Sequence, residues 1–222
     1  MTARTASLVK WRANRSTHKR KSIVDGARRE FLKNGFGGAS VDAVAEAASV
    51  AKMTVYRHFK NKQALFEGVI GELCERIVGT DVTLDPNLPV REALAKFAWV
   101  TIETVYNPDT VELQRIVVAE IKRFPELGRL FYKTGPEVCV KALERYLIAN
   151  RGNLKLHFTN ARFAAEEFIE LLRGYTHLRV LLGMEKTPSR SVMARRVAAA
   201  VNHVLRSNVG AGAAEKLYKR AS

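Results

Sequence analysis

The sequence predicts an all-α protein, with an N-terminal three-helix helix-turn-helix domain joined to a larger helical domain. Three observations carry this. Apolar residues recur at three- and four-residue spacing through almost every segment, and strand-like alternation never persists. Proline is scarce, with six in 222 residues. Glycine-containing breaks at Gly35, Gly37-Gly38, Gly135-Pro136 and Gly183 to Pro188 divide the chain into helix-sized pieces.

The elements follow in order. Residues 1–16 read as a basic, mobile arm with Arg4, Lys10, Arg12 and Arg15, and no acid precedes Asp25. Ser16 or Thr17 caps a first helix whose apolar positions are Ile23, Ala27 and Phe31, and Gly35 ends it. Ser40 caps a second helix with Val41, Val44, Ala45 and Ala48 on one side. A turn at Ser49-Val50 leads to a third helix over about 51–59, and Asn61 caps a long fourth helix ending near Val78. Residues 81–89 carry two prolines and read as a loop. Further helices are expected over about 90–106, 109–123, 126–149 with a break at Gly135-Pro136, 159–182 and 189–206. This gives an arm (1–16), a head (17–62), a larger body (63–207) and a frayed tail (208–222).

Charge separates the head from the body. The net charge is +15. Residues 1–62 hold 14 basic and 4 acidic side chains (+10), and residues 63–222 hold 23 and 18 (+5). A basic head on a nearly balanced body suits a polyanion partner, with a solvated basic surface as the alternative. Other classes are disfavoured. No apolar run reaches the roughly 18 residues of a membrane span, and the N-terminus has no apolar signal core, so a cytoplasmic, non-membrane protein is expected. The two cysteines, Cys74 and Cys139, make no disulfide framework. Each reads as a buried core thiol, with a redox-sensing role as the alternative. There is no phosphate-binding glycine loop, no zinc-spaced Cys/His cluster and no Ser/His/Asp set. No enzyme activity, cofactor or metal is therefore expected.

The segment Val41 to Lys60 has helix-turn-helix logic. Two short helices that cross closely need a small residue at the contact, which Ala45 supplies, and Val50 and Val55 fill the junction. One face of the second helix stays free: Lys52, Met53, Thr54, Tyr56, Arg57 and His58. It combines donors for base edges and phosphates with apolar atoms suited to a thymine methyl. Lys62, at the start of the next helix, can hold a phosphate together with the helix N-terminus. A packing hairpin with a solvated basic face is the bland alternative.

Over Ile23 to about Leu65 the chain resembles the tetracycline-repressor (TetR) family of bacterial transcription regulators. The most specific part is Thr54-Val-Tyr-Arg-His-Phe-Lys-Asn-Lys62, supported by Val44-Ala45, Ala48 and Gly35. The resemblance implies that Lys52, Met53, Thr54, Tyr56, Arg57 and His58 sit where family members touch DNA. It implies that Tyr56 and His58 grip phosphates and that Lys62 contacts the DNA backbone. There are two departures. Ser49 stands where the family usually has glycine, which costs about 1 kcal/mol if that residue is left-handed. Ala51 stands where a serine often caps the recognition helix, a loss of about 1 kcal/mol unless Ser49 caps instead. Ala119 to Leu127, Phe131-Tyr132 and Gly135-Pro136 resemble the C-terminal domain of one subgroup of such regulators.

The resemblance and the helical body together imply a homodimer on a palindromic double-stranded operator, released by a small-molecule effector. Dimer contacts are expected from the last two helices. Phe163, Glu167, Leu171, Tyr175 and Leu178 form one stripe, broadened by Phe168, Leu172 and Leu182, and Val197 and Val201 belong to the final helix. An effector pocket is expected among Phe97, Trp99, Tyr106, Arg115, Phe131 and His177, with Arg115 pairing either an acidic effector or Glu120. Plain core packing is the alternative for each aromatic and for His177. A non-specific nucleic-acid binder using the basic N-terminal region is the competing function.

Overall fold

A computed structural model describes residues 3–78, 84–152 and 160–206, with side chains described for 17–74, 84–152 and 160–206. Its helices are α1 (Ala3–Gly38), α2 (Val41–Ala47), α3 (Lys52–His58), α4 (Lys62–Val78), α5 (Val90–Val105), α6 (Pro108–Glu120), α7 (Glu126–Thr134), α8 (Pro136–Ala149), α9 (Ala161–Leu181) and α10 (Arg190–Arg206). There is no strand among the described residues. The stretch read as an arm is drawn as the start of α1, helical from Ala3, so the expected helix start at Ser16 or Thr17 is corrected. The side chains of 1–16, including Arg4, Lys10, Arg12 and Arg15, lie outside the described residues, as does the tail 208–222.

The chain forms two compact units. One comprises residues 1–72 and 112–131, and the other 73–111 and 132–222. The first therefore recruits most of α6 and the start of α7, elements that the linear reading placed in the body.

In the first unit, α1 buries Ile23, Val24, Ala27 and Phe31. Phe66 meets Phe31 edge-on at 5.2 Å and Phe36 at 5.5 Å, and Phe124 meets Phe36 at 5.0 Å. Such edge contacts add about 0.5–1.5 kcal/mol each beyond the burial of the rings. Gly35 breaks α1 with a left-handed φ of 68°, which glycine adopts without steric cost. The segment after it is held from two sides. Both Glu120 carboxylate oxygens accept from the Gly37 N–H, at 2.8 and 3.0 Å. The Lys62 ammonium donates to the carbonyls of Gly37 (3.2 Å) and Ala39 (3.0 Å).

The second unit packs α5, α8, α9 and α10 around Leu94, Phe97, Leu143, Leu147, Phe168 and Leu172. α9 is kinked at Gly174, where φ is 51° and ψ −171°, a region open to glycine alone. Two carbonyls beside the kink find other donors. The Arg196 guanidinium donates to Leu171 O at 3.3 Å, and the Tyr106 hydroxyl donates to Arg173 O at 2.7 Å. Arg196 also donates to Thr176 Oγ1 at 2.7 Å.

His177 lies beside this kink, buried, with its ring 5.8 Å from the Tyr106 ring. Burial, and then the Arg173 cation, push its pKa down to about 4. Arg173 lies 3.4 Å from Nδ1, which accepts when the imidazole is neutral. The folded pKa lies below the unfolded one. His177 thus stabilises the fold fully above about pH 6.5, and this contribution is lost as pH falls toward the folded pKa. The loss reaches about 3 kcal/mol at the acid end. Urea unfolding at about pH 7.5 and about pH 4.5 should show it, and His177→Phe should shrink the difference by about 2 kcal/mol or more. An unchanged difference would contradict this account.

Candidate nucleic-acid interface

The helix-turn-helix is built by local capping and one strained turn. Ser40 Oγ accepts from Ala43 N–H at 3.1 Å and starts α2. Arg29 donates to Ala47 O at 2.6 Å at the other end, where a cation suits the helix dipole. Ser49 then adopts a left-handed φ of 53°, the one non-glycine residue with positive φ among the described residues. Val50 N–H closes the turn on Ala45 O at 3.0 Å. Ala51 is the N-cap of α3 and offers no side-chain acceptor, so Ser49 does not take over that cap. Ser49→Gly is expected to stabilise the protein by about 1 kcal/mol. In thermal denaturation this is a rise of about 2–4 °C, and an unchanged or lower midpoint would count against strain at this turn.

The sequence places Ala45 at the crossing of α2 and α3; the crossing of α1 and α2 needs a small residue of its own. Ala45 is buried. The tight contact, however, is at Gly26, where a Cβ would stand 3.1 Å from Ala48 N and Val44 O.

With Val55 and Phe59 buried, the opposite side of α3 is open. Lys52, Met53, Tyr56 and Arg57 are exposed there, Met53 at 75%, while Thr54 and His58 are half-buried. Lys52 pairs with Asp42 of α2 at 2.8 Å, so a phosphate would compete with that carboxylate. Donation to the Asp42 carboxylate, and then its charge, hold the Lys52 pKa above its ordinary value. His58 Nε2 is buried without a partner. Burial, then Arg57, Arg20 and Lys19, lower its pKa. Arg20 also lies over the Phe59 ring at 5.3 Å. Lys19 and Arg20 therefore add charge beside the α3 face. The basic run Lys19-Arg20-Lys21 signalled them, but the sequence reading assigned them no role. Lys62 has a structural task that its place in the sequence did not signal: two of its donors are spent on the carbonyls of Gly37 and Ala39, and it sits 4.8 Å over the Phe36 ring. That makes it a brace of the α1–α2 connection before it is a phosphate anchor.

The expected effector residues are divided between the two units. Arg115 and Phe131 belong to the first unit, whereas Phe97, Trp99, Tyr106 and His177 belong to the second. Arg115 pairs with Glu112 at 2.9 Å rather than with Glu120, whose carboxylate is taken by Gly37. Phe97 is core beside Phe168, Trp99 lies 4.9 Å under Arg190, and Tyr106 and His177 support the kink. A cavity of about 590 Å³ in the second unit is instead lined by Leu171, Thr176, Arg179, Glu185, Val192 and Arg196, among others. The expected dimer residues also divide. Phe168, Leu172, Val197 and Val201 are corrected to the subunit's own core, because they point to the buried side of α9 and α10. Leu171 is half-buried, and Tyr175 is 79% exposed. Phe163, Leu178 and Leu182 are exposed with it.

The fold and this face define a helical regulator of the helix-turn-helix class. Comparison with known proteins makes the class specific. Residues 23–69 match the family described as bacterial regulatory proteins, tetR family, and residues 92–207 match the AefR-like transcriptional repressor, C-terminal domain. The HTH-type transcriptional regulator YhgD of Bacillus subtilis is 30% identical over 89 residues, 40% of this chain, and the chain spans 47% of that relative's length. The solved structure of the flavonoid-responsive regulator FrrA is 33% identical with a TM-score of 0.66, covering 85% of this chain and 96% of that one. A TetR-family regulator from Mesorhizobium loti shares the fold with a TM-score of 0.70 at 24% identity, covering 86% and 96% of the two chains. This chain belongs to the TetR family of bacterial transcription regulators.

Proposed function

We propose that two copies of this chain bind a palindromic operator on double-stranded DNA and repress transcription until a small molecule, held in the second unit, releases them. The observation that carries this is the face of α3. Four side chains able to meet bases and phosphates, Lys52, Met53, Tyr56 and Arg57, stand exposed on a helix anchored from behind by Val55 and Phe59. One such helix reads only a few base pairs, and two placed a helical turn apart read a palindrome.

The exposed stripe of α9 supports pairing of two copies. Tyr175, Leu178 and Leu182 follow the kink at three- and four-residue spacing, Phe163 precedes it, and all four are exposed with no covering element among the described residues. Tyr175→Asp with Leu178→Asp is expected to yield monomers in analytical ultracentrifugation at concentrations where the wild type is dimeric, and a dimeric variant would place the interface elsewhere. FrrA responds to flavonoids by name, and that supports a small-molecule effector for this chain. α4 runs without a break from Lys62 in the first unit to Val78 in the second, so it is the element through which release would travel.

No helix among the described residues is long and apolar enough to cross a membrane. A non-specific polyanion binder would show equally steep salt dependence without sequence preference. Footprinting on genomic DNA separates the two. A protected palindromic segment is expected, whereas retardation of every fragment with no protected segment would sink the operator reading.

A further inference from the structure

The cavity of about 590 Å³ in the second unit carries more positive charge than the fold around it uses. α9 contributes Thr176 and Arg179 to its lining, the connection to α10 contributes Glu185, and α10 contributes Arg195 and Arg196. Three guanidiniums thus share one space with a single carboxylate. That carboxylate is taken, because Glu185 accepts from Arg179 Nε at 2.6 Å. Arg196 is partly buried, yet both its acceptors are neutral: Leu171 O at 3.3 Å and Thr176 Oγ1 at 2.7 Å. Its Nε–H is buried without an acceptor. Cations taken out of water are ordinarily paired, but no carboxylate pairs with Arg196 among the described residues. Thr176 is buried as well. Its hydroxyl oxygen accepts from both Arg196 and Arg179, so its own proton is left to donate to a further acceptor.

We propose that this cavity binds an organic carboxylate, with the anionic head on Arg195, Arg196 and the Thr176 hydroxyl. Once Arg179 and Glu185 neutralise each other, Arg195 and Arg196 are the surplus cations, and a guanidinium fork matches the two oxygens of a carboxylate. The remaining walls are apolar. Leu171, Pro188, Val192 and Ala199 can cover a ring or a short chain, which a bare inorganic anion does not offer. The volume also falls within the roughly 300–1,000 Å³ of small-molecule sites. The kink in α9 builds the site. A Cβ at Gly174 would collide with the Arg196 guanidinium, and Leu171 O beside the kink holds that guanidinium in place. A carboxylate on Arg196 therefore acts on the side chain that braces the kink. The inference rests on the reading that the second unit holds the small molecule, and it adds the place and the chemical class.

The test titrates the full-length protein with 2-naphthoate, and with 2-naphthamide as its uncharged twin, by isothermal titration calorimetry. The carboxylate is expected to bind with a Kd of about 1 mM or tighter. The amide should bind about tenfold or more weakly. Arg196→Gln should abolish binding of the carboxylate. Arg195 is exposed and makes no hydrogen bond or ion pair among the described residues, so Arg195→Gln leaves the fold intact. It should still weaken 2-naphthoate about threefold or more. No binding by the wild type up to about 10 mM overturns the proposal. So does equal affinity for carboxylate and amide, or wild-type affinity in Arg195→Gln. Binding that appears only in the Tyr175→Asp, Leu178→Asp protein would mean that a second copy fills the cavity, and that overturns it too. None of these titrations involves DNA, so they stand if the operator-binding reading fails. Bound 2-naphthoate that leaves operator affinity within about twofold overturns its part in release alone.

Discussion

Gly174→Ala is expected to lower the melting temperature by about 5–15 °C. Two costs add. The backbone at φ 51° and ψ −171° is a region L-residues occupy only under strain, at about 1–3 kcal/mol. The new Cβ would also collide with the Arg196 guanidinium. Moving Arg196 breaks its bonds to Leu171 O and Thr176 Oγ1 and leaves polar groups unpaired beside the core, at about 1–3 kcal/mol. At about 2–4 °C per kcal/mol for a chain of this size, the sum gives the stated fall. Differential scanning calorimetry checks it. A midpoint that rises would mean that α9 straightens at no cost and that the kink is not required.

Tyr56→Ala with Arg57→Ala is expected to weaken operator binding roughly 30- to 1,000-fold, about 2–4 kcal/mol, from two lost contacts of about 1–2 kcal/mol each. Both side chains are exposed and neither carries a hydrogen bond within the described structure, so thermal stability should stay within about 0.5 kcal/mol of wild type. The slope of log affinity against log salt should fall by about one if Arg57 meets a phosphate. Fluorescence anisotropy on the operator measures both quantities. Unchanged affinity would remove α3 from the interface. Lys62→Ala serves as the contrast. It should lose stability as well as affinity, because its ammonium braces the carbonyls of Gly37 and Ala39.

The sequence displayed local features well and long-range partners poorly. The apolar spacing in 23–31, the Ser40 and Asn61 caps and the turn at Ser49 are local, and each stands where the sequence places it: Asn61 Oδ1 accepts from Ala64 N–H at 2.8 Å, and Ser49 carries the left-handed φ. The α3 face was readable for the same reason, since Val55 and Phe59 define its buried side. Helical periodicity could not say which of two apolar stripes on α9 faces inward. Phe168 and Leu172 proved to be core, while Phe163 and Tyr175 are open. Tyr106 and His177 looked like pocket residues because aromatic and imidazole groups serve both purposes. Only the kink at Gly174, a glycine inside a strongly periodic run, explains what they do. The pairing of Glu120 with Gly37 spans 83 residues, and no spacing rule links such positions.

The central claim is that paired α3 helices read a specific DNA sequence. Selection of bound DNA from a random pool by the full-length protein tests it most directly. The account predicts enrichment of an inverted repeat, with half-sites about one helical turn or a multiple of it apart, and no enrichment of that repeat by the Tyr56→Ala, Arg57→Ala protein. A pool that binds tightly yet shows no consensus after repeated rounds would contradict the account.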